Sequence, residues 1–221
     1  MKNYREMESL KKIVCFGDSN TYGYVPALGD RFDENTRWAG RLKNSLAKRG
    51  MTVIEEGKNG RTTVFDDPVE EGRNGSLVFD SVLREHDPVD CLVIMLGTND
   101  CKIKFAADEE VITKGLEVLV SMARVFDPGI RILIVSPAVV NEGVKLGRFA
   151  ENFDDRSIEV SKRLAVRYSE LARKCGCAFL DAAKYAETDP SDGIHLGAQA
   201  HSRLAQAVET CLLNMLSDGT E

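Results

Sequence analysis

The sequence predicts an α/β fold in which a five-stranded parallel sheet is covered by helices on both faces. Short apolar runs alternate with helical patterns along the whole chain, the signature of βαβ units packed into such a sheet. The apolar runs are rich in Val, Ile, Leu and Phe, the residues that suit a pleated, buried surface. The longest non-periodic stretches are 17–34, 57–73 and 137–151, and they follow the ends of predicted strands, where open α/β sheets place their ligand crevices.

Taken in order, the first strand candidate is 12–16, Lys-Ile-Val-Cys-Phe, followed by a helical pattern over 35–49. A strand over 52–56 precedes a helix over 74–86, and the most apolar strand, 90–96, precedes a helix over 107–126. The fourth strand, 131–136, leads to a helix over 152–175, in which Phe153, Ile158, Leu164, Val166 and Leu171 supply the apolar positions. Gly176 then stands where a left-handed residue ends a helix. A last strand, 178–181, and a last helix, 197–216, complete the pattern. No repeat, low-complexity tract or Pro/Gly/Ser linker divides the chain, so one domain over 1–221 is expected.

Composition excludes several classes of partner. Hydrophobic residues make up 43% and charged residues 29%, the balance of a globular protein that builds its own core. The net charge is -6, with lysine and arginine scattered, so no nucleic-acid partner is expected. Residues 1–10 are polar and no apolar run reaches membrane length, so neither a leader segment nor a membrane partner is expected, and the protein reads as cytoplasmic. The six cysteines read as reduced thiols, since Cys15 and Cys91 lie in strand-like runs. Cys175 and Cys177 lack both redox and zinc spacing, and no metal or other cofactor is expected.

Chemistry gathers at three places. The first strand runs into Gly17-Asp18-Ser19-Asn20-Thr21-Tyr22-Gly23, which puts a serine at a sharp exit from a buried strand. A serine hydroxyl becomes a nucleophile only when a base takes its proton, which demands a histidine and an acid to orient it. Asp192-Gly193-Ile194-His195, just before the last helix, offers both: a glycine turn lets the carboxylate reach one imidazole nitrogen while the other faces Ser19. The other histidines, His86 and His201, fall within predicted helices. Acyl transfer also needs donors for the developing oxyanion, and Gly60, Asn99 and the backbone N–H of Ser19 supply them from the same sheet edge.

Gly17-Asp18-Ser19, Gly60, Gly97-Thr98-Asn99-Asp100 and Asp192-Gly193-Ile194-His195 match four blocks in order, and on them the sequence resembles the SGNH (GDSL-like) hydrolase family. The resemblance implies a flavodoxin-like three-layer fold, a Ser19/Asp192/His195 triad and an oxyanion hole of Ser19, Gly60 and Asn99. Cys15-Phe16-Gly17-Asp18-Ser19, Arg61-Thr62-Thr63, Asp66-Asp67-Pro68 and the run 94–100 look like the mycobacterial arylesterase/acyltransferase (perhydrolase) type within that family. That type implies a short-chain ester as small-molecule partner, acyl transfer to alcohols or peroxide, and a homo-oligomer. Tyr22 and Tyr24 stand where it carries tryptophans, and Gly60 where it carries alanine, so weaker transfer relative to hydrolysis is expected.

Asp18, Tyr22, Tyr24, Trp38 and Phe65 are candidate pocket residues, the aromatics walling an apolar slot; the alternative is that some of them pack under the loop, Trp38, in a predicted helix, before the others. Two other readings compete. A catalytically inactive carbohydrate- or ester-binding module needs no such set of catalytic groups. A metal-dependent phosphoesterase using Asp18, Asp100 and Asp192 would ordinarily recruit more histidines than the three present. The physiological ester is left open among xylan acetate, other acetylated sugars, aryl esters and small lipids.

Overall fold

The computed structural model describes residues 11–217, so the expected lack of a leader in 1–10 lies outside the described residues. The strands are β1 (Lys11–Gly17), β2 (Met51–Gly57), β3 (Cys91–Met95), β4 (Arg131–Ser136) and β5 (Ala178–Asp181). All neighbours pair in parallel, in the order β2-β1-β3-β4-β5. The five expected strands are therefore present, each within a residue of its expected bounds.

The chain leaves β1 toward the β2 edge and returns across β1 to β3. The direction of winding thus reverses between β1 and β3, which opens a crevice outside the carboxyl ends of these two strands. Register aligns Gly17 at the end of β1 with Gly57 on one side and Met95 on the other, so the three loops that follow start at one level.

The period of two along β1 sorts its side chains into two cores. Ile13 and Cys15 face α2 (Trp38–Ala47) and α6 (Ala198–Ser217), packing with Leu42, Leu46, Leu204 and Val208. Val14 and Phe16 face α3 (Gly75–Glu85), α4 (Glu109–Phe126) and α5 (Asp155–Lys174), packing with Phe79, Leu116, Leu164 and Tyr168. Each such fully buried aliphatic or aromatic side chain contributes about 1.5–3 kcal/mol. Both faces of the sheet are thereby tied to the position of its carboxyl edge.

The helices start slightly later than their periodicity suggests because polar caps precede them. Asn74 accepts from the Ser76 amide at 3.0 Å, and Asp108 from the Glu110 and Val111 amides at 3.1 and 2.9 Å. Asp154 and Ser157 form a reciprocal capping box. The helix expected over 35–49 shortens to 38–47 for a different reason. Asp33 captures the Asn35 amide and the Thr36 hydroxyl, both at 2.8 Å, and turns the chain before the helix begins. The first amide of α2, on Trp38, is then accepted by His201 Nδ1 from α6 at 3.2 Å.

Sequence periodicity also misses a one-turn helix, α1 (Ser19–Tyr22), within the stretch read as a loop. Gly176, with φ 62°, ends α5 as expected. No helix among the described residues is long and apolar enough to cross a membrane.

Candidate active site

The loops after β1, β2 and β3 meet at the crevice, together with the segment that precedes α6. Asp18 ends the β1 exit by accepting the Asn20 amide at 2.9 Å, which starts α1 and places Ser19 in its first turn. Backbone N–H groups there have no intrahelical acceptor, so the Ser19 amide is available as a donor. Asn20 then clamps this turn to the far end of the chain: its Nδ2 donates to the Ile194 carbonyl at 3.0 Å, and its Oδ1 accepts the Leu196 amide at 3.0 Å.

The clamp brings His195 onto Ser19. His195 Nε2 lies 2.9 Å from Ser19 Oγ, and Nδ1 lies 2.8 Å from Asp192 Oδ2. Gly193, with φ 75°, makes the reversal that folds Asp192 back, and a Cβ there would sit 2.1 Å from the Val144 nitrogen, so glycine is required twice over. Asp192 Oδ1 accepts the Ile194 and His195 amides at 3.1 and 3.0 Å, and Oδ2 also accepts the Ala27 amide at 3.2 Å. Burial acts to raise the Asp192 carboxyl, but the hydrogen bond and charge of His195, with these amides, outweigh it and hold the group below its ordinary value. An ionised acceptor there fixes the proton of His195 on Nδ1 and turns Nε2 toward Ser19 as an acceptor.

Gly60 and Asn99 open onto the same cavity as Ser19 and His195, a cleft of about 440 Å³. Gly60 has φ 75°, a left-handed geometry in which its N–H lies unshielded by any side chain of its own. Asn99 follows β3, and its amide donates one N–H to the Arg61 carbonyl at 3.1 Å, which leaves a second for a ligand. Asn99 is thus anchored by the loop that carries Gly60.

Of the expected pocket residues, only Tyr24 lines this cleft. Its ring stacks on His195, centroids 4.1 Å apart, while Phe149 meets the imidazole edge-on at 5.4 Å. Trp38 is instead 1% exposed in the core between α2 and the sheet, because its helix repeats Trp38, Leu42 and Leu46 on one face. Tyr22 lies beneath the Arg31 guanidinium at 4.5 Å, and Phe65 packs on Phe105 with centroids 5.0 Å apart. Asp18 is buried as the cap of α1. Sequence reasoning missed Phe149, from the third long loop, and Arg73, Lys102, Lys104 and Arg148, which also line the cleft. It also missed Asn20, whose partners lie more than 170 residues away. Among the described residues, no group of three or more His, Cys, Asp or Glu side chains is arranged to hold a metal.

His201 has no part in this constellation. Burial, with a smaller effect of His195, pushes it down to about 3, so it stays neutral and serves as the acceptor for the first amide of α2.

Two further carboxyls, Asp18 and Asp100, are buried near each other. Burial, opposed by the Asn20 amide and reinforced by Asp100, pushes Asp18 up to about 7. Burial, opposed by the Thr63 hydroxyl and amide, pushes Asp100 up to about 6. Both values are raised above those of an unfolded chain, so their stabilising contribution is full below the ordinary carboxylate range and is lost as pH rises through about 6 to about 7. Asp100 Oδ1 holds Thr63, whereas Oδ2 is buried without a hydrogen-bond partner. Asp100→Asn keeps the first oxygen and removes the charge, so its Tm relative to the parent should be higher at about pH 8 than at about pH 5. The expected difference is a few degrees, since each kcal/mol shifts Tm by about 2–4 °C in a domain of this size. Thermal melts of both proteins at the two pH values check it.

Comparison with known proteins bears on the fold and the family. The chain is similar to the M. smegmatis aryl esterase, with 34% identity, a TM-score of 0.87, and coverage of 92% of this chain and 99% of that one. It is similar to a carbohydrate acetylesterase family member from Sinorhizobium meliloti, with 36% identity, a TM-score of 0.88, and coverage of 94% and 100%. A second carbohydrate acetylesterase from Sinorhizobium meliloti gives 32% identity, a TM-score of 0.85, and coverage of 93% and 99%. No curated protein matched the sequence. The model of the GDSL-like lipase/acylhydrolase family matches residues 15–203, a span that runs from the first strand through His195, and the chain therefore belongs to that family, the SGNH/GDSL esterases.

Proposed function

We propose that the protein hydrolyses small carboxylic esters, acetyl esters foremost, through an acyl-Ser19 intermediate. The observation that carries this reading is the line of hydrogen bonds from Ser19 Oγ through His195 to Asp192, at 2.9 and 2.8 Å. It opens onto the cleft shared by Gly60 and Asn99.

In this mechanism Ser19 Oγ attacks the ester carbonyl as its proton passes to His195 Nε2. Asp192 stabilises the imidazolium that results. The carbonyl oxygen, now an oxyanion, takes hydrogen bonds from the Ser19 and Gly60 amides and from Asn99 Nδ2. The intermediate collapses, the C–O bond to the alcohol breaks, and Nε2 returns its proton to the leaving oxygen. Water, activated by the same nitrogen, then attacks the acyl-enzyme and regenerates Ser19.

An alcohol or peroxide that reaches the acyl carbon in place of water receives the acyl group, so transfer belongs to the same proposal. Tyr24 and Phe149 flank His195 and give the leaving side an apolar wall that favours such acceptors. A reducing compartment such as the cytoplasm is also part of this proposal, supported by free thiols at Cys15, Cys91, Cys101, Cys175, Cys177 and Cys211.

The test compares acetate, butyrate and octanoate esters of one phenol, then repeats the acetate reaction with benzyl alcohol. Turnover is expected to fall from acetate to octanoate, with benzyl acetate formed as a minor product. Fastest turnover of octanoate would overturn the short-acyl reading. Absence of benzyl acetate would remove the transfer activity.

A further inference from the structure

The cleft is charged against the sign of the protein. The chain carries a net charge of -6, yet the charged side chains lining the cleft are Arg73, Lys102, Lys104 and Arg148 against Glu70 alone, apart from His195. Charges that line a concave, partly desolvated site act on its contents far more strongly than charges on an open surface.

One of these cations is accounted for by the fold. Lys104 pairs closely with Asp67, whose side chain is fully buried and which also takes the Val69 and Glu70 amides at 3.0 and 3.1 Å. That pair holds the loop on one side of the cleft.

The others are held less closely. The Lys102 side chain is only 10% exposed, and its nearest carboxylate oxygen, Asp67 Oδ2, lies 3.9 Å away, beyond hydrogen-bond reach and already held by Lys104. Burial first, and then the charge of Lys104, push the Lys102 ammonium below its ordinary value. Arg73 Nε is buried 3.3 Å from Glu70 Oε2 but is not aligned for a hydrogen bond with it. Arg148 donates to the Tyr24 hydroxyl at 2.9 Å, on a neutral partner, and thereby sits beside the ring stacked on His195. Of these Lys102 is the buried cation without a close partner, a costly arrangement that an entering anion relieves, while Arg73 is half-buried beside Glu70 and Arg148 is exposed at the rim.

Their positions relative to the reacting atoms are specific. The Lys102 amide donates to the Asn99 carbonyl at 3.2 Å, one turn from the amide side chain that faces the cleft. Arg73 Nε would lie 3.1 Å from a Cβ on Gly60. Cations therefore flank both loop-borne oxyanion donors, and Arg148 adds a third on the side of the base. The other nearby carboxyls do not line the cleft: Asp192 is engaged by His195 and backbone amides, and Asp18 and Asp100 are buried.

We propose that the ester this cleft selects is anionic, carrying a carboxylate close to the scissile carbonyl that Lys102 and Arg73 receive. The inference rests on the serine-esterase reading and adds the substrate class to it. A carboxylate on the alcohol part and one on the acyl part share this chemistry, and two matched pairs of esters distinguish them. The first pair is phenyl acetate against 4-acetoxybenzoate. The second is phenyl butyrate against the phenyl monoester of succinic acid.

At low ionic strength the carboxylated member of at least one pair should have kcat/KM higher by about tenfold or more. The preference should shrink as salt is raised, since screening weakens partly exposed charges. Lys102→Met combined with Arg73→Gln should bring the ratio within that pair toward unity, mainly through KM of the carboxylated ester. Equal or faster turnover of the neutral member in both pairs would overturn the inference, and that comparison needs only the parent chain. A preference that survives the double variant undiminished would also overturn it. Failure of the parent to turn over any member of either pair would instead overturn the esterase reading beneath it.

Discussion

Ser19→Ala is expected to lower kcat for phenyl acetate by about 10⁴- to 10⁶-fold, because the acyl-enzyme route disappears with the hydroxyl. Residual turnover would come from the oxyanion donors and substrate binding, which survive the change. Stability should scarcely move. Ser19 Oγ is tied to His195 Nε2 alone among its side-chain partners, at 2.9 Å, and that nitrogen faces a cleft that water can enter. The cap of α1 is Asp18, and the clamp to the last loop is Asn20, so both are retained. A Tm within about 2–4 °C of the parent, the equivalent of about 1 kcal/mol, is therefore expected. Progress curves at high enzyme concentration, with a melt of the same sample, check both halves. Retention of more than about a tenth of parental kcat would remove Ser19 from the nucleophile's position.

The fold was legible because its strands are short and bounded by loops rich in turn residues, so that local composition and tertiary burial agree. Val14 and Phe16 belong to one core and Ile13 and Cys15 to the other, so β1 had to be apolar at every position between Ile13 and Phe16. The hydrogen-bonded line of Ser19, His195 and Asp192 was legible for a related reason: Asp192, Gly193 and His195 form one local turn, and Ser19 sits in another, so only the meeting of the two turns is long-range. That meeting depends on Asn20, whose amide makes both of its bonds across the fold, and nothing in its neighbours marks it.

The pocket wall was harder to read because proximity in sequence to the nucleophile says nothing of side-chain direction. Tyr24 points to His195, whereas Tyr22, two residues earlier, takes Arg31 over its ring. Trp38 takes the alternative its helix offered, packing in the core, and its spacing to Leu42 and Leu46 is that of a buried helical face. Lys102 carried a signal as well, three residues beyond Asn99, at one turn's spacing. Arg73, Arg148 and Phe149 carried none, because each is set by how a long loop folds over the sheet edge.

Asp192→Asn is expected to lower kcat by about 10⁴-fold while leaving Ser19 and His195 in place. The carboxylate accepts N–H groups from Ala27, Ile194 and His195 and from His195 Nδ1, so both of its oxygens act only as acceptors. An amide presents one oxygen and one NH₂ to the same donors. The Oδ1 position faces two backbone N–H groups that cannot turn away, at 3.1 and 3.0 Å, so the oxygen of the amide should settle there. The NH₂ then faces His195 Nδ1, which must give up its proton and become an acceptor. The proton moves to Nε2, where the imidazole donates toward Ser19 Oγ and cannot take the serine proton. Removing the negative charge also removes what stabilises the imidazolium during attack. KM should change little, because Asp192 does not line the cleft. The swap also separates orientation from structure: the Ala27 amide loses its acceptor on the loop over the site, so a modest fall in Tm is expected with the large fall in kcat. His201→Ala supplies the contrast. It removes the acceptor for the Trp38 amide from a buried site and should lower Tm with a far smaller effect on kcat. Steady-state kinetics and melts of the two variants check the pair. Were His201→Ala the inactive one and Asp192→Asn nearly wild type, the base would have to be reassigned.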